Sequence, residues 1–171
     1  WVEQGNLYLV PVLLDQQDRR LWDKAQIEEG CALVRHALGS RDIGPYSVQA
    51  AIAAVHAEAA NAQDTDWAEI VGLYDVLLRH WPSPVIELNR AVALASRDGA
   101  ATGLAEVEAI LGRGELLDYH LAHAARAQLH GQLGHVQQAR EAWGRALALA
   151  RQGPERRHIE RCLRALEPCR G

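Results

Sequence analysis

Apolar residues return every three or four positions along most of this 171-residue chain, which is the helical period, and only its first part breaks that rhythm. Residues 7–14, Leu-Tyr-Leu-Val-Pro-Val-Leu-Leu, are continuously apolar, and Pro11 stops a helix there. The pattern predicts a strand-like arm or linker over residues 1–17 and a helical domain over residues 18–171. Ile27, Cys31, Val34 and Leu38 form one stripe on a first helix, from near Asp18 to Leu38, and Gly39 is its stop signal. A second helix starts at Pro45 and runs to about Ala60, so rich in alanine and β-branched residues that it should be buried on most sides. A third, capped by Asp64 or Thr65, keeps Trp67, Ile70, Val71, Tyr74, Leu77, Leu78 and Trp81 in register and ends at Pro82. Ser83 caps a fourth with Pro84 in its first turn, and Asp98-Gly99 leads to a fifth over residues 101–112. A sixth spans residues 117–133. A seventh carries Val136, Ala139, Trp143, Ala146, Leu147 and Ala150 on one face. After Gly153-Pro154, an eighth carries Ile159, Cys162, Leu163 and Leu166. Eight helices with short turns make four antiparallel hairpins, with Trp67, Tyr74, Leu77, Leu88, Val92, Trp143 and Leu147 in the expected core.

The fourth and sixth helices are predicted to begin 34 residues apart, at Ser83 and Leu117, as are the fifth and seventh, at Ala101 and His135. Small residues recur at Ala93 and Ala127 and at Ala105 and Ala139, as close helix crossings require. Residues 134–150 resemble a tetratricopeptide second helix, with Gly134 in the turn, Ala139 and Ala146 small and Trp143 at the aromatic position. Arg126 and Arg151 depart from that pattern, standing where leucine and proline are usual. The expected fold is therefore all-α: tetratricopeptide-like helical hairpins in a short right-handed superhelix.

Charge and cysteine usage narrow the function. The net charge is −4, divided into 10 basic and 18 acidic residues over positions 1–139 and 8 basic and 4 acidic over 140–171. An acidic chain is a poor nucleic-acid binder, and glutamates interleaved among the last arginines point to a solvated helix surface. Cys31, Cys162 and Cys169 are odd in number and irregularly spaced, which fits neither a disulfide framework nor a zinc site and suits a reducing cytoplasm. The chain opens on Trp1 without a leader-like stretch, so it reads as a piece of a longer polypeptide. No apolar run approaches the ~20 residues of a membrane span.

Candidate chemistry is sparse. His120, His123 and His130 lie near one helical face, with Asp118 the nearest added carboxylate, but no His-Glu-x-x-His or paired-cysteine pattern accompanies them. Partly buried or groove-lining histidines are the expectation, with no metal, no cofactor and no change in melting temperature on chelation. Asp15, Asp18 and Asp23 are close enough for acid–base work, yet they stand where a helix begins and read as caps. No phosphate loop or nucleophile motif is present, so the chain is not expected to be an enzyme.

Residues 13–23, Leu-Leu-Asp-Gln-Gln-Asp-Arg-Arg-Leu-Trp-Asp, carry a more specific likeness. It continues through Gly44-Pro45-Tyr46 and residues 49–57, Asp64-Thr65-Asp66-Trp67, Leu73-Tyr74-Asp75, residues 82–85 and 88–93, and residues 118–127. In that order these stretches resemble the tetratricopeptide-like C-terminal extension of a group of bacterial extracytoplasmic-function (ECF) sigma factors. The resemblance implies a cytoplasmic, regulatory domain in transcription initiation, in contact with its own sigma regions or RNA polymerase. Gln16 stands where that family commonly has aspartate, and the promoter-reading regions are not part of this chain, so no DNA-binding residue carries over. The residue types alone suggest that Asp15, Gln16, Gln17, Asp18, Arg19, Trp22 and Asp23 form a polar interface around one aromatic anchor, with an exposed Arg19 pairing with a partner carboxylate. Two alternatives remain. Trp22 could plug the first hairpin while Asp18 and Arg19 cap it, or the chain could be a tetratricopeptide adaptor holding a peptide in its groove.

Overall fold

The computed structural model describes residues 2–3, 6–7, 18–40 and 43–166. At the N-terminus β1 (Val2–Glu3) pairs antiparallel with β2 (Asn6–Leu7), placing Val2 opposite Leu7 and Glu3 opposite Asn6. Residues 8–17, most of the predicted arm, lie outside the described residues. Eight helices follow: α1 (Lys24–Leu38), α2 (Pro45–Glu58), α3 (Trp67–His80), α4 (Pro84–Asp98), α5 (Ala100–Gly112), α6 (His120–Gln132), α7 (Val136–Leu149) and α8 (Gly153–Ala165). Each packs on its neighbours in the chain, and the α4/α5 and α6/α7 hairpins are the most extensive pairs. This is the all-α, hairpin-stacked architecture the periodicity predicts. No described helix is long and apolar enough to cross a membrane.

Three helix starts differ from expectation, each because a short turn takes the predicted first residues. Asp18 caps a 3₁₀ turn at Arg19–Leu21, and Asp23 then caps α1 by accepting the Gln26 N–H at 3.1 Å. Ala62–Asp64 is a second 3₁₀ turn, so Asp66 caps α3, accepting from the Glu69 N–H at 2.9 Å. Residues 113–118 are turns, with Leu116 in the left-handed region at φ 56°, so α6 begins at His120.

The late start of α6, with α5 beginning one residue earlier and α7 one residue later than predicted, changes the repeat. α4 and α6 begin at Pro84 and His120, α5 and α7 at Ala100 and Val136, and both differences are 36 residues. The new offset aligns the close crossings. Ala91 and Ala127 are both buried, as are Gly103 and Ala139, whereas Ala105 is exposed. A Cβ on Gly103 would come within 2.6 Å of the Ala91 carbonyl oxygen and onto the Ala95 Cβ, so only glycine lets α5 lie this close to α4.

The core is three clusters in series. Val48, Ile52 and Val55 of α2 join Ile70, Val71 and Leu77 of α3 and Ala93 and Leu94 of α4. Leu88 and Ala91 of α4 join Val107, Ile110 and Leu111 of α5 and Ala122 and Leu129 of α6. Ala127 of α6 joins Ala142, Trp143 and Ala146 of α7, Ala150, and Ile159 of α8. Helices α4 and α6 each serve two clusters, as in a stack whose members contact only near neighbours. Leu77, Leu88 and Trp143 are core as expected, and Trp67, Tyr74 and Leu147 pack partly buried against it. Val92 is not core: it is 41% exposed, because α4 turns Leu88, Ala91 and Leu94 inward and leaves Val85, Asn89, Val92 and Ser96 open.

Candidate functional site

The stretch that enters the helical domain is built around Arg19. Its Nη1 donates to the Ala59 carbonyl at 2.6 Å and the His56 carbonyl at 2.9 Å, filling carbonyls that the end of α2 leaves without helical partners. Its guanidinium lies 5.0 Å from the centroid of the half-buried Trp22 ring. The expected free, exposed Arg19 is therefore corrected: the side chain is half-buried and committed to the chain's own backbone. A cation at a helix C-terminus also meets the negative end of the dipole.

Asp18 and Asp23 are caps, as their position predicts, but Asp18 does more. It accepts the Arg20 backbone N–H at 3.1 Å and takes the Arg20 guanidinium on both oxygens, at 2.9 and 2.8 Å. The side-chain bond from Arg20, then the backbone bond, lower its pKa to about 2. Asp18, Arg20 and Asp23 are exposed beside Trp22 and so are open to a partner. Asp15, Gln16 and Gln17 lie outside the described residues.

Behind this turn is an open cleft of about 490 Å³ between α1 and the end of α2. Trp22, Ile27, Cys31, Ala57 and Ala59 give it apolar surface, and Arg35 and Glu58, paired at 3.1 Å, bridge the two helices at its wall. Arg19, Arg20 and Ala60 also line a second hollow of about 360 Å³ with Asp18, Asn61 and Gln63. Burial, with Glu58 adding, pushes the Cys31 thiol up, which keeps it a neutral lining group. Ile27 and Cys31 were legible as a helix stripe. Their meeting with Trp22, Lys24 and the α2 end was not, because nothing local fixes where α2 crosses α1.

The three histidines do not converge. His123 is buried, with Nε2 2.8 Å from the Leu117 carbonyl oxygen. His120 Nε2 lies 3.5 Å from Glu155 on α8. His130 stands between Glu108, 3.5 Å from its Nε2, and His135, whose Nδ1 is 3.3 Å from its own. Asp118 pairs with Arg145 at 3.2 Å. Among the described residues no group of three or more His, Cys, Asp or Glu is placed to hold a metal ion. Cys162 approaches His158 at 3.7 Å, but burial pushes its thiol up, the reverse of an activated nucleophile.

No family model matches the chain, and no solved structure matches it. It is 48% identical over 148 residues to an uncharacterised protein of Rhizobium meliloti (strain 1021). That match takes in 86% of this chain and 34% of the relative, so the chain spans about a third of the relative's length.

Proposed function

We propose that this chain is the regulatory, protein-contacting C-terminal domain of an ECF-type sigma factor, acting in transcription initiation on its own sigma regions or on RNA polymerase in the cytoplasm. The observation that carries the reading is the turn at residues 18–23. Asp18, Arg20, Trp22 and Asp23 stand together at the entry to the helical domain, and Arg19 locks that turn to the end of α2. A rigid polar patch with one aromatic anchor suits a protein contact. The sequence resemblance supplies the sigma identity, and a relative about three times as long as the match leaves room for sigma regions. The chain acts by binding, without cofactor, catalysis or DNA contacts of its own.

The test separates contact from folding. In the full-length polypeptide, Asp18→Ala with Arg20→Ala should leave the melting temperature within a few degrees and lower transcription from the cognate promoter. Normal transcription from this folded variant would defeat the proposal. A second reading, a tetratricopeptide adaptor, is favoured by one observation: the open positions Val85 and Val92 of α4 recur 36 residues on as Leu121 and Gln128 of α6. Under that reading Val92→Glu, not the Asp18/Arg20 change, abolishes partner binding.

A further inference from the structure

The cleft behind the entry turn has the features of a small-ligand site. Its volume of about 490 Å³ falls in the roughly 300–1,000 Å³ range of clefts that bury small molecules. Its apolar surface is continuous in kind: the Trp22 ring, the Ile27 side chain, the Cys31 thiol and alanines at the end of α2. Trp22 is only half-buried, although Arg19 holds it in place, so a preformed aromatic surface is left uncovered.

The charges around that surface are unequal. Arg19, Arg20, Lys24 and Arg35 line the cleft against Glu28 and Glu58, an excess of two positive charges. Glu58 is taken by Arg35, and Arg20 by Asp18 from the neighbouring hollow. Neither Lys24 nor Glu28, one turn further along α1, has an ion-pair partner among the described residues, and no bonded partner holds the buried Arg19 Nε. With Asp18 counted, four cations stand against three carboxylates, so one positive charge remains in excess on the rim of an apolar slot. An anion alone would waste the slot, and a neutral apolar molecule would leave the excess positive charge unanswered.

We infer that this cleft binds a small amphipathic organic acid, its flat apolar body against Trp22, Ile27 and Cys31 and its carboxylate at Lys24. The site deepens the function proposed above, resting on it only in lying directly behind the proposed contact; binding itself is a property of this chain alone. A bound acid would brace the turn from behind, and removal would leave Trp22 uncovered. A partner peptide is the less suited occupant, because the Arg35–Glu58 pair bridges the cleft's wall from α1 to α2.

The probe is 2-naphthoate, compared with the neutral 2-naphthamide, in calorimetric titration of the 171-residue chain. Naphthoate should bind saturably at one site with a Kd below about 1 mM. The amide, and naphthoate on Lys24→Ala, should each bind about fivefold weaker, the size of an exposed charge contact. Trp22→Ala should weaken binding about tenfold or more, through loss of the aromatic face. Circular dichroism on each variant confirms the helical fold, and Lys24 is exposed enough to replace without unfolding. Failure of naphthoate to bind, equal binding of acid and amide, or undiminished binding by Lys24→Ala would each overturn the inference. None of these outcomes depends on promoter activity, so the site and the sigma-factor reading fail separately.

Discussion

Arg19 shows how one side chain can serve structure at a place that looks built for contact. Two hydrogen bonds from its Nη1 to the end of α2 and a stacked Trp22 tie the turn to the helix pair. Bonds from a charged donor contribute more than neutral ones, so Arg19→Ala should cost ~1.5–3 kcal/mol in chemical denaturation. Arg19→Lys should recover only part of that loss, since an ammonium can donate to both carbonyls from one nitrogen, as Nη1 does, but lacks the planar guanidinium that lies over the Trp22 ring. Full stability in Arg19→Lys would show that charge alone suffices. The same guanidinium bears on His56. Burial first, and Arg19 second, lower the His56 pKa, while its ring and that of Trp67 stand edge-to-face with centroids 5.2 Å apart. A histidine that resists its proton when folded is stabilising above the unfolded pKa of about 6.5, and that contribution falls away as pH drops towards the folded value. Melting temperature should therefore decline more steeply as pH falls below about 6.5 in the parent than in His56→Gln. Equal slopes would remove His56 from the acid response.

Periodicity along the chain was enough to read the number and order of the helices. Stripes such as Ile27, Cys31, Val34 and Leu38, with prolines at Pro45 and Pro84, are local signals that tertiary packing reinforces. The starts of α1 and α3 were less legible, because Asp18, Asp23, Asp64 and Asp66 are equally good caps and only the 3₁₀ turns decide among them. The turns at residues 113–118 delay α6 to His120, and with α5 and α7 beginning at Ala100 and Val136 the spacing is 36 rather than 34, which brings Gly103, not Ala105, to the crossing of α4 and α5. Ala91 and Ala95 leave no room there, so Gly103→Ala should destabilise by ~1–3 kcal/mol through forced separation of the helices. Ala105→Gly is the control: an exposed helix position should lose at most about 1 kcal/mol, from backbone entropy alone. Trp143 is the opposite case, a large side chain 7% exposed between α7 and α8, and Trp143→Ala should cost ~3–5 kcal/mol. If the control loses more than Gly103→Ala, the 36-residue alignment of the crossings is wrong. The cleft was the least legible feature, since Ile27 and Cys31 read as core stripe until the end of α2 is placed beside them.

Across the whole molecule, charge is graded along the stack. The first 139 residues carry an excess of eight negative charges and the last 32 an excess of four positive. On α8 the exposed Arg157, Arg161 and Arg164 follow one another at helical spacing, with Ile159, Cys162 and Leu163 turned to α7. Such a stripe can attract phosphate locally, and the question is whether it outweighs the rest. Phosphate binding grows with the number of cations that displace counterions together, and three arginines on one helix are few. The remaining acidic surface repels the same duplex at any distance within a Debye length, about 8 Å in physiological salt. The repulsion should win for the chain by itself. Duplex DNA titrated against it should show no affinity tighter than the non-specific range of about 10⁻⁴–10⁻⁶ M, with a shallow dependence on salt. Arg157→Glu with Arg161→Glu should remove what little remains. Nanomolar, sequence-selective binding would instead mean that this domain reads promoter DNA itself, and the division of labour proposed here, in which separate sigma regions read the promoter, would have to be abandoned.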